Sequence, residues 1–158
     1  AGLSGSDALL FTGEKVGKET QTGKITDTKA EILKLLLGAK IMPVVSSTSM
    51  TKDGTALNIN ADEAALAVAI AVKADKLFFI SDIPGVMKDG KVIDALTEKS
   101  AEDEIESGCI SGGMIPKVRS SVAALNKGVK AIIIGEYTGS GDLGQILGGK
   151  KGTSITAG

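Results

Sequence analysis

The sequence predicts an α/β fold with a mainly parallel sheet covered by helices. Continuous apolar, β-branched runs at 41–46, 76–80 and 131–134 read as strands buried on both faces, as parallel sheets require. Between them lie segments with apolar residues at helical spacing, and strands alternating with helices build parallel sheets. The chain also carries 21 glycines in 158 residues. They fall between the apolar runs, which marks them as turns and helix stops rather than low complexity.

Each element follows from local chemistry. Residues 8–26 hold short apolar runs separated by glycines and read as hairpin-like strands. Thr28-x-x-Glu31 has the form of a capping box and predicts a helix through Ile32, Leu33, Leu35, Leu36 and Leu37 to a stop at Gly38. Pro43 places the start of the 41–46 strand at an edge or bulge. After the Lys52-Asp53-Gly54 turn, 62–73 predicts a helix that opens on Asp62 and Glu63 and closes on Lys73, as the macrodipole prefers. Its middle, 64–72, is apolar all round and is expected to be covered on both sides. The 76–80 strand ends in Ser81-Asp82, and Lys88-Asp89-Gly90-Lys91 signals a hairpin. An acidic helix over 100–107 stops at Gly108. A further helix follows Ser111-Gly112-Gly113, with Ile115, Val118, Val122 and Leu125 on one face and Gly128 at its end. After the 131–134 strand, a Gly-rich stretch surrounds a short helix at 143–147, and 153–156 closes as a strand. The lobe boundary is expected after the long helix, giving lobes 1–74 and 75–158.

Composition removes several classes of function. With 0 His there is no Ser-His or Cys-His nucleophile and no His-ligated metal. The single Cys109 forms no intrachain disulfide and no C-x-x-C site; it reads as a small buried hydrophobe in a reducing, cytoplasmic setting. A net charge of -1, with 0 Trp and 1 Tyr, offers no nucleic-acid groove or stacking platform. The longest apolar run, 64–72, is far short of the roughly 20 residues that span a bilayer. Neither nucleic acid nor a membrane is therefore an expected partner.

Three segments carry chemistry. Ser111-Gly112-Gly113-Met114-Ile115-Pro116-Lys117 joins a sharp glycine turn to a helix start, where outward N–H groups and the dipole attract phosphate and Lys117 adds a point charge. Its plain alternative is a capped helix with a solvated lysine. Asn58-Ile59-Asn60-Ala61-Asp62 sits between a strand and a helix, with Asn58 and Asn60 on one side; its plain alternative is that Asn60 or Asp62 caps the helix. Ser81-Asp82-Ile83-Pro84-Gly85-Val86 puts polar groups at a strand's C-terminal end before a Pro-Gly turn, or is simply a turn. The Lys150-Lys151-Gly152 turn reads as solvated surface.

Taken together, segments 58–65, 81–86 and 111–118, with Gly2-Leu3-Ser4-Gly5-Ser6-Asp7 and Pro43-Val44-Val45, resemble the amino acid kinase family, in the branch that phosphorylates N-acetyl-L-glutamate. The resemblance implies a three-layer αβα sandwich with a mainly parallel open sheet. It assigns 1–74 to the acyl-amino-acid lobe and 75–158 to the nucleotide lobe. It further implies ATP and Mg²⁺, with Lys117 stabilising the transferring phosphoryl group and Asp62 organising the catalytic lysines. Asn58 and Asn60 would bind substrate. Ser81, Asp82, Ile83, Pro84, Gly85, Val86, Met87, Cys109, Ile110, Ser111 and Gly113 would line the nucleotide site. A homodimer or higher homo-oligomer is implied as well. The family's first strand, its Lys-x-Gly-Gly loop, a second Gly-rich loop and a substrate-binding arginine are not among the 158 residues. The chain is therefore expected to be the later part of a two-lobed, N-terminally incomplete kinase, lacking half of the phosphoryl clamp and part of the substrate pocket. The segment 135–142 also departs from the family pattern.

The implied reaction needs no histidine. The γ-carboxylate of acetylglutamate is already ionised at neutral pH, since such groups titrate near roughly pH 4.3. What remains is positioning and charge neutralisation. The alternatives are a related kinase acting on glutamate or on carrier-bound aminoadipate, and a nucleotide-binding fragment without catalysis.

Overall fold

The computed structural model describes residues 1–17 and 19–158, which divide into two units, Ala1–Val72 and Lys73–Gly158. In the first, β1 (Gly2–Ser4) pairs in parallel with β4 (Val44–Ser46), setting Ser4 opposite Ser46. Strands β2 (Phe11–Lys15) and β3 (Thr22–Thr28) form an antiparallel pair, and β5 (Thr48–Met50) and β6 (Ala56–Ile59) close it into a four-stranded barrel. Leu10, Phe11, Leu57 and Ile59 fill the interior with Leu33 of α1 (Glu31–Gly38) and Ala64 of α2 (Ala61–Val72).

Two expectations change here. Thr28 does not cap α1: it ends β3 opposite Phe11, and the Lys29 N–H donates to the Leu10 carbonyl, so the β-ladder claims this backbone first. Ala30 then holds the cap position with no side-chain bond. The 41–46 run contributes only three residues to a strand, Val44–Ser46. Lys40 turns at φ 59°, and the N–H groups of Lys40 and Ile41 close α1 on Leu37 and Leu36.

Helix α2 is anchored by side chains at its start. The Asn60 Oδ1 accepts from the N–H groups of Asp62 (2.9 Å) and Glu63 (3.2 Å), so Asn60 is the N-cap. The Glu63 Oε1 reaches β3 and accepts from the Ile25 N–H at 2.7 Å. That N–H lies beside the register shift between Thr12 and Gly13, where a bulge leaves a strand donor outside the ladder. From Asp62 to Val72 every residue is buried or half-buried, as the all-round apolar pattern predicts.

In the second unit, β7 (Lys76–Ser81) and β11 (Ala131–Glu136) run parallel over six residue pairs. The final strand, β12 (Thr153–Thr156), joins β11 antiparallel and β10 (Ala95–Thr97) parallel, giving the order β10-β12-β11-β7. Strands β8 (Met87–Lys88) and β9 (Lys91–Val92) form the predicted hairpin, with Asp89 and Gly90 both at positive φ in its turn. Helix α3 (Glu98–Glu106) starts earlier than expected because Thr97 and Ser100 form a reciprocal capping box. Helix α4 (Met114–Leu125) buries Val118, Ser121, Ala124 and Leu125, and the chain turns at Gly128 with φ 100°. Helix α5 (Asp142–Leu147) buries Ile146.

Substituting Glu63→Ala leaves the Ile25 N–H without its acceptor. It is expected to lower stability by about 1–3 kcal/mol in urea denaturation, with Glu63→Gln retaining most of it.

Candidate functional site

The parallel pairing of β7 and β11 sets Ser81 directly opposite Glu136, so the loops that follow both strands open at one edge of the sheet. Ligands of open α/β sheets collect at such carboxyl ends. After β7, the Ser81 hydroxyl donates to the Asp82 Oδ1 at 3.2 Å, and Asp82 itself is exposed. Ile83 and Pro84 are half-buried, and Gly85 passes against the sheet. Gly85 has φ 155°, and a Cβ there would stand 2.7 Å from the Thr153 Oγ1 and 2.8 Å from the Val92 Cγ1. Val86 is 1% exposed and donates its N–H to the Thr153 Oγ1 at 2.8 Å. Its side chain therefore belongs to the core. Met87 emerges at the surface as the first residue of the β8–β9 hairpin.

After β11, Asp142 at the start of α5 gathers three donors on one oxygen: the Thr138 N–H (2.7 Å), the Thr138 hydroxyl (2.6 Å) and the Lys151 ammonium (2.7 Å). Lys151, and next Thr138, hold its carboxyl well below its ordinary 3.8. The Lys151 side chain is only 23% exposed. The expectation of a solvated lysine turn is thus corrected for Lys151: its charge is drawn inward to Asp142. Gly152 completes this corner at φ 97°, where a Cβ would meet the Ile134 carbonyl at 2.4 Å.

The Ser111-Gly112-Gly113 turn leads into α4 as predicted. Gly112 takes the left-handed conformation (φ 56°), and Gly113 holds the cap position with no side-chain bond; both are exposed. Lys117 lies one turn into α4, and its Nζ stands 5.3 Å from the centroid of the Phe79 ring, a cation–π distance. Phe79 is a buried residue of β7, two positions before Ser81. The fold thereby brings the α4 motif and the β7 motif together.

Cys109 is half-buried rather than core, because its thiol turns to donate to the Met87 carbonyl at 3.3 Å. Burial first, and then the Glu104 carboxylate, raise this thiol from its ordinary 9.0. Ile110 is fully inside and gives its N–H to the Glu104 carbonyl at 2.9 Å, while Ser111 is exposed. Glu104 was not among the predicted site residues. A charged residue on an acidic helix carries no local signal that distinguishes it from its solvated neighbours.

In the first unit, Asn58 and Asn60 are exposed and alternate with buried Leu57 and Ile59, so both face one side, as predicted. The Asn58 N–H is bound to the Gln21 carbonyl at 2.8 Å. The Asn60 Oδ1 is committed to capping α2. Asp62 is half-buried in the first turn of α2.

Residues 1–135 match the profile of the Amino acid kinase family. The acetylglutamate kinase of Bacillus pumilus (strain SAFR-032) is 39% identical over 156 residues, covering 98% of this chain and 59% of its own length. A crystal structure from Streptococcus mutans UA159 superimposes with TM-score 0.78 at 30% identity, over 94% of this chain and 57% of that one. The N-acetylglutamate synthase from Neisseria gonorrhoeae, solved with coenzyme A and L-arginine, superimposes with TM-score 0.83 at 25% identity, over 98% of this chain and 37% of that one. The chain thus spans about 59% of the length of the Bacillus relative.

Two outcomes test this geometry. Gly85→Ala introduces a Cβ into the Thr153 contact at a backbone angle that side chains resist. It is expected to cost about 2–4 kcal/mol, read as a lower urea midpoint. Asp142 has a depressed folded pKa, so its contribution to stability is complete above the unfolded value of about 3.9 and is lost as pH falls through the lower folded value. Thermal melts of Asp142→Asn should therefore lie below wild type at neutral pH, and the gap should close as pH falls below about 4.

Proposed function

The chain belongs to the amino acid kinase family, and on that premise we propose that the complete protein transfers the γ-phosphoryl group of ATP to the γ-carboxylate of N-acetyl-L-glutamate. The observation that carries this reading is the 39% identity, over 98% of the chain, to an acetylglutamate kinase. The product is an acyl phosphate, and the setting is arginine biosynthesis in the cytoplasm. The protein works as a homodimer or higher homo-oligomer.

The chemistry asks little of the protein beyond placement. The acceptor carboxylate arrives ionised, so a chain with 0 His lacks nothing as a base. The protein's task is to neutralise charge on an in-line phosphoryl transfer. In the nucleotide lobe (75–158), Ser81, the 82–87 segment, the backbone of 109–111 and Gly113 hold ATP. At the start of α4 the Met114 and Ile115 N–H groups donate to the Ser111 and Gly112 carbonyls and Pro116 has none, so it is the glycine turn and the helix dipole that meet the phosphates. Lys117 stabilises the transferring group, and its ammonium stands over the Phe79 ring at 5.3 Å. In the acceptor lobe (1–74), Asn58 holds the α-carboxylate or acetamido end, the amide nitrogen of Asn60 supports it, and Asp62 organises the catalytic lysines. Mg²⁺ enters with the nucleotide as MgATP. Bound there, Mg²⁺ would neutralise charge on the phosphates during transfer.

The test is hydroxamate trapping of the acyl phosphate by the complete protein, with acetylglutamate, glutamate and aminoadipate compared as acceptors. Acetylglutamate is expected to be preferred, and preference for another acceptor would move the assignment within the family. In the same assay Lys117→Ala is expected to lower kcat about 10²–10³-fold while leaving the KM for the acceptor within a few-fold. Near-normal turnover would overturn the role of Lys117.

A further inference from the structure

Glu104 lies in α3, outside every segment assigned to substrate or nucleotide, yet it ties two of those segments together. Its Oε1 accepts from the Lys88 Nζ at 2.5 Å, which fixes the stem of the β8–β9 hairpin immediately after Met87. Its backbone carbonyl accepts from the Ile110 N–H at 2.9 Å, which fixes the 108–111 loop. The Cys109 thiol bridges the same two segments by donating to the Met87 carbonyl at 3.3 Å. Hairpin stem and loop are thus joined at three points, and Glu104 supplies two of them.

The Glu104 side chain is only 18% exposed. Lys88 first, with the Cys109 thiol and the Ser107 hydroxyl also facing the carboxylate, holds its carboxyl below the ordinary 4.5, so the folded chain favours the charged form. A solvated ion pair would explain nothing here, but this carboxylate is largely withdrawn from water, so its geometry is held.

We propose that Glu104 is a positioning residue for the nucleotide, holding the hairpin stem at Met87–Lys88 and the loop at Cys109–Ser111 at a fixed separation. This rests on the reading that these segments line the ATP site. Glu104 itself touches no substrate: it acts through Lys88 from the hairpin side and through the Ile110 backbone from the loop side.

The experiment measures ATP binding to the complete protein by calorimetry, beside thermal melts, for wild type, Glu104→Leu, Lys88→Met and the double variant. Glu104→Leu removes the Lys88 link, and ATP affinity is expected to fall about tenfold at temperatures where the melts show the variant folded. Lys88→Met should weaken ATP to a similar degree, and the double variant should be no weaker than either single one, because both remove one clamp. A purely structural role predicts wild-type affinity wherever the melts show the variant folded. Should Glu104→Leu fail to fold, the exposed Lys88→Met carries the same comparison. Wild-type affinity in both single variants would overturn the role of Glu104 and leave the nucleotide assignment intact. No ATP binding by the wild-type complete protein would overturn the nucleotide assignment and the role of Glu104 with it.

Discussion

A parallel strand pair cannot be closed by a short turn; the chain must leave one strand, cross over and return before it can pair. The constraint is met separately in each unit. Between β1 and β4 the crossover contains the β2–β3 hairpin and α1, and between β7 and β11 it contains the β8–β9 hairpin, β10, α3 and α4. In the second unit it also leaves two carboxyl ends side by side, Ser81 against Glu136. Every polar group around that edge takes its place from this register. Gly85 and Thr153 pack under the first loop, Asp142 and Lys151 brace the second, and Lys117 stands over Phe79, two residues before Ser81.

Around that frame, long-range side-chain bonds replace the local signals that usually end and start elements. Asn60 caps α2 as a local rule predicts, but Glu63 in the same turn reaches back to a bulged strand. The Thr153 hydroxyl accepts the Val86 N–H across 67 residues of sequence. Asp142 serves Thr138 and Lys151 at once. Each of these satisfies a backbone donor or a charge that an irregular segment would otherwise leave bare. They sit beside the loops assigned to ligands, where the backbone cannot satisfy itself.

Much of the fold was legible because periodicity and punctuation agreed. The helix over 62–73 needed only its apolar run and acidic first turn; the Asp-Gly hairpin, the 131–134 strand and the closing strand at 153–156 appear where their residues placed them. Errors arose where a ladder outside the local window took the backbone, as at Thr28, or where a turn shortened a run, as at 41–43. The antiparallel entry of β12 had no sequence signal, since strand direction is a property of the partner. Among candidate site residues, glycine turns and helix starts were readable from residue type. The inward turn of Lys151 and the link of Glu104 to Lys88 were not, because a charged residue in a turn or acidic helix looks the same whether solvated or paired.

The sequence by itself determined the fold class, the places of most elements and the absence of any histidine chemistry, because these depend on residue type and short-range spacing. Tertiary structure decided which polar groups are partners. It put Lys117 over Phe79, turned the Cys109 thiol to Met87 and buried half of a carboxylate at Glu104. The reason is physical: a hydrogen bond or ion pair is fixed by distance and burial, and residues far apart in the chain acquire both only when the sheet register brings them together.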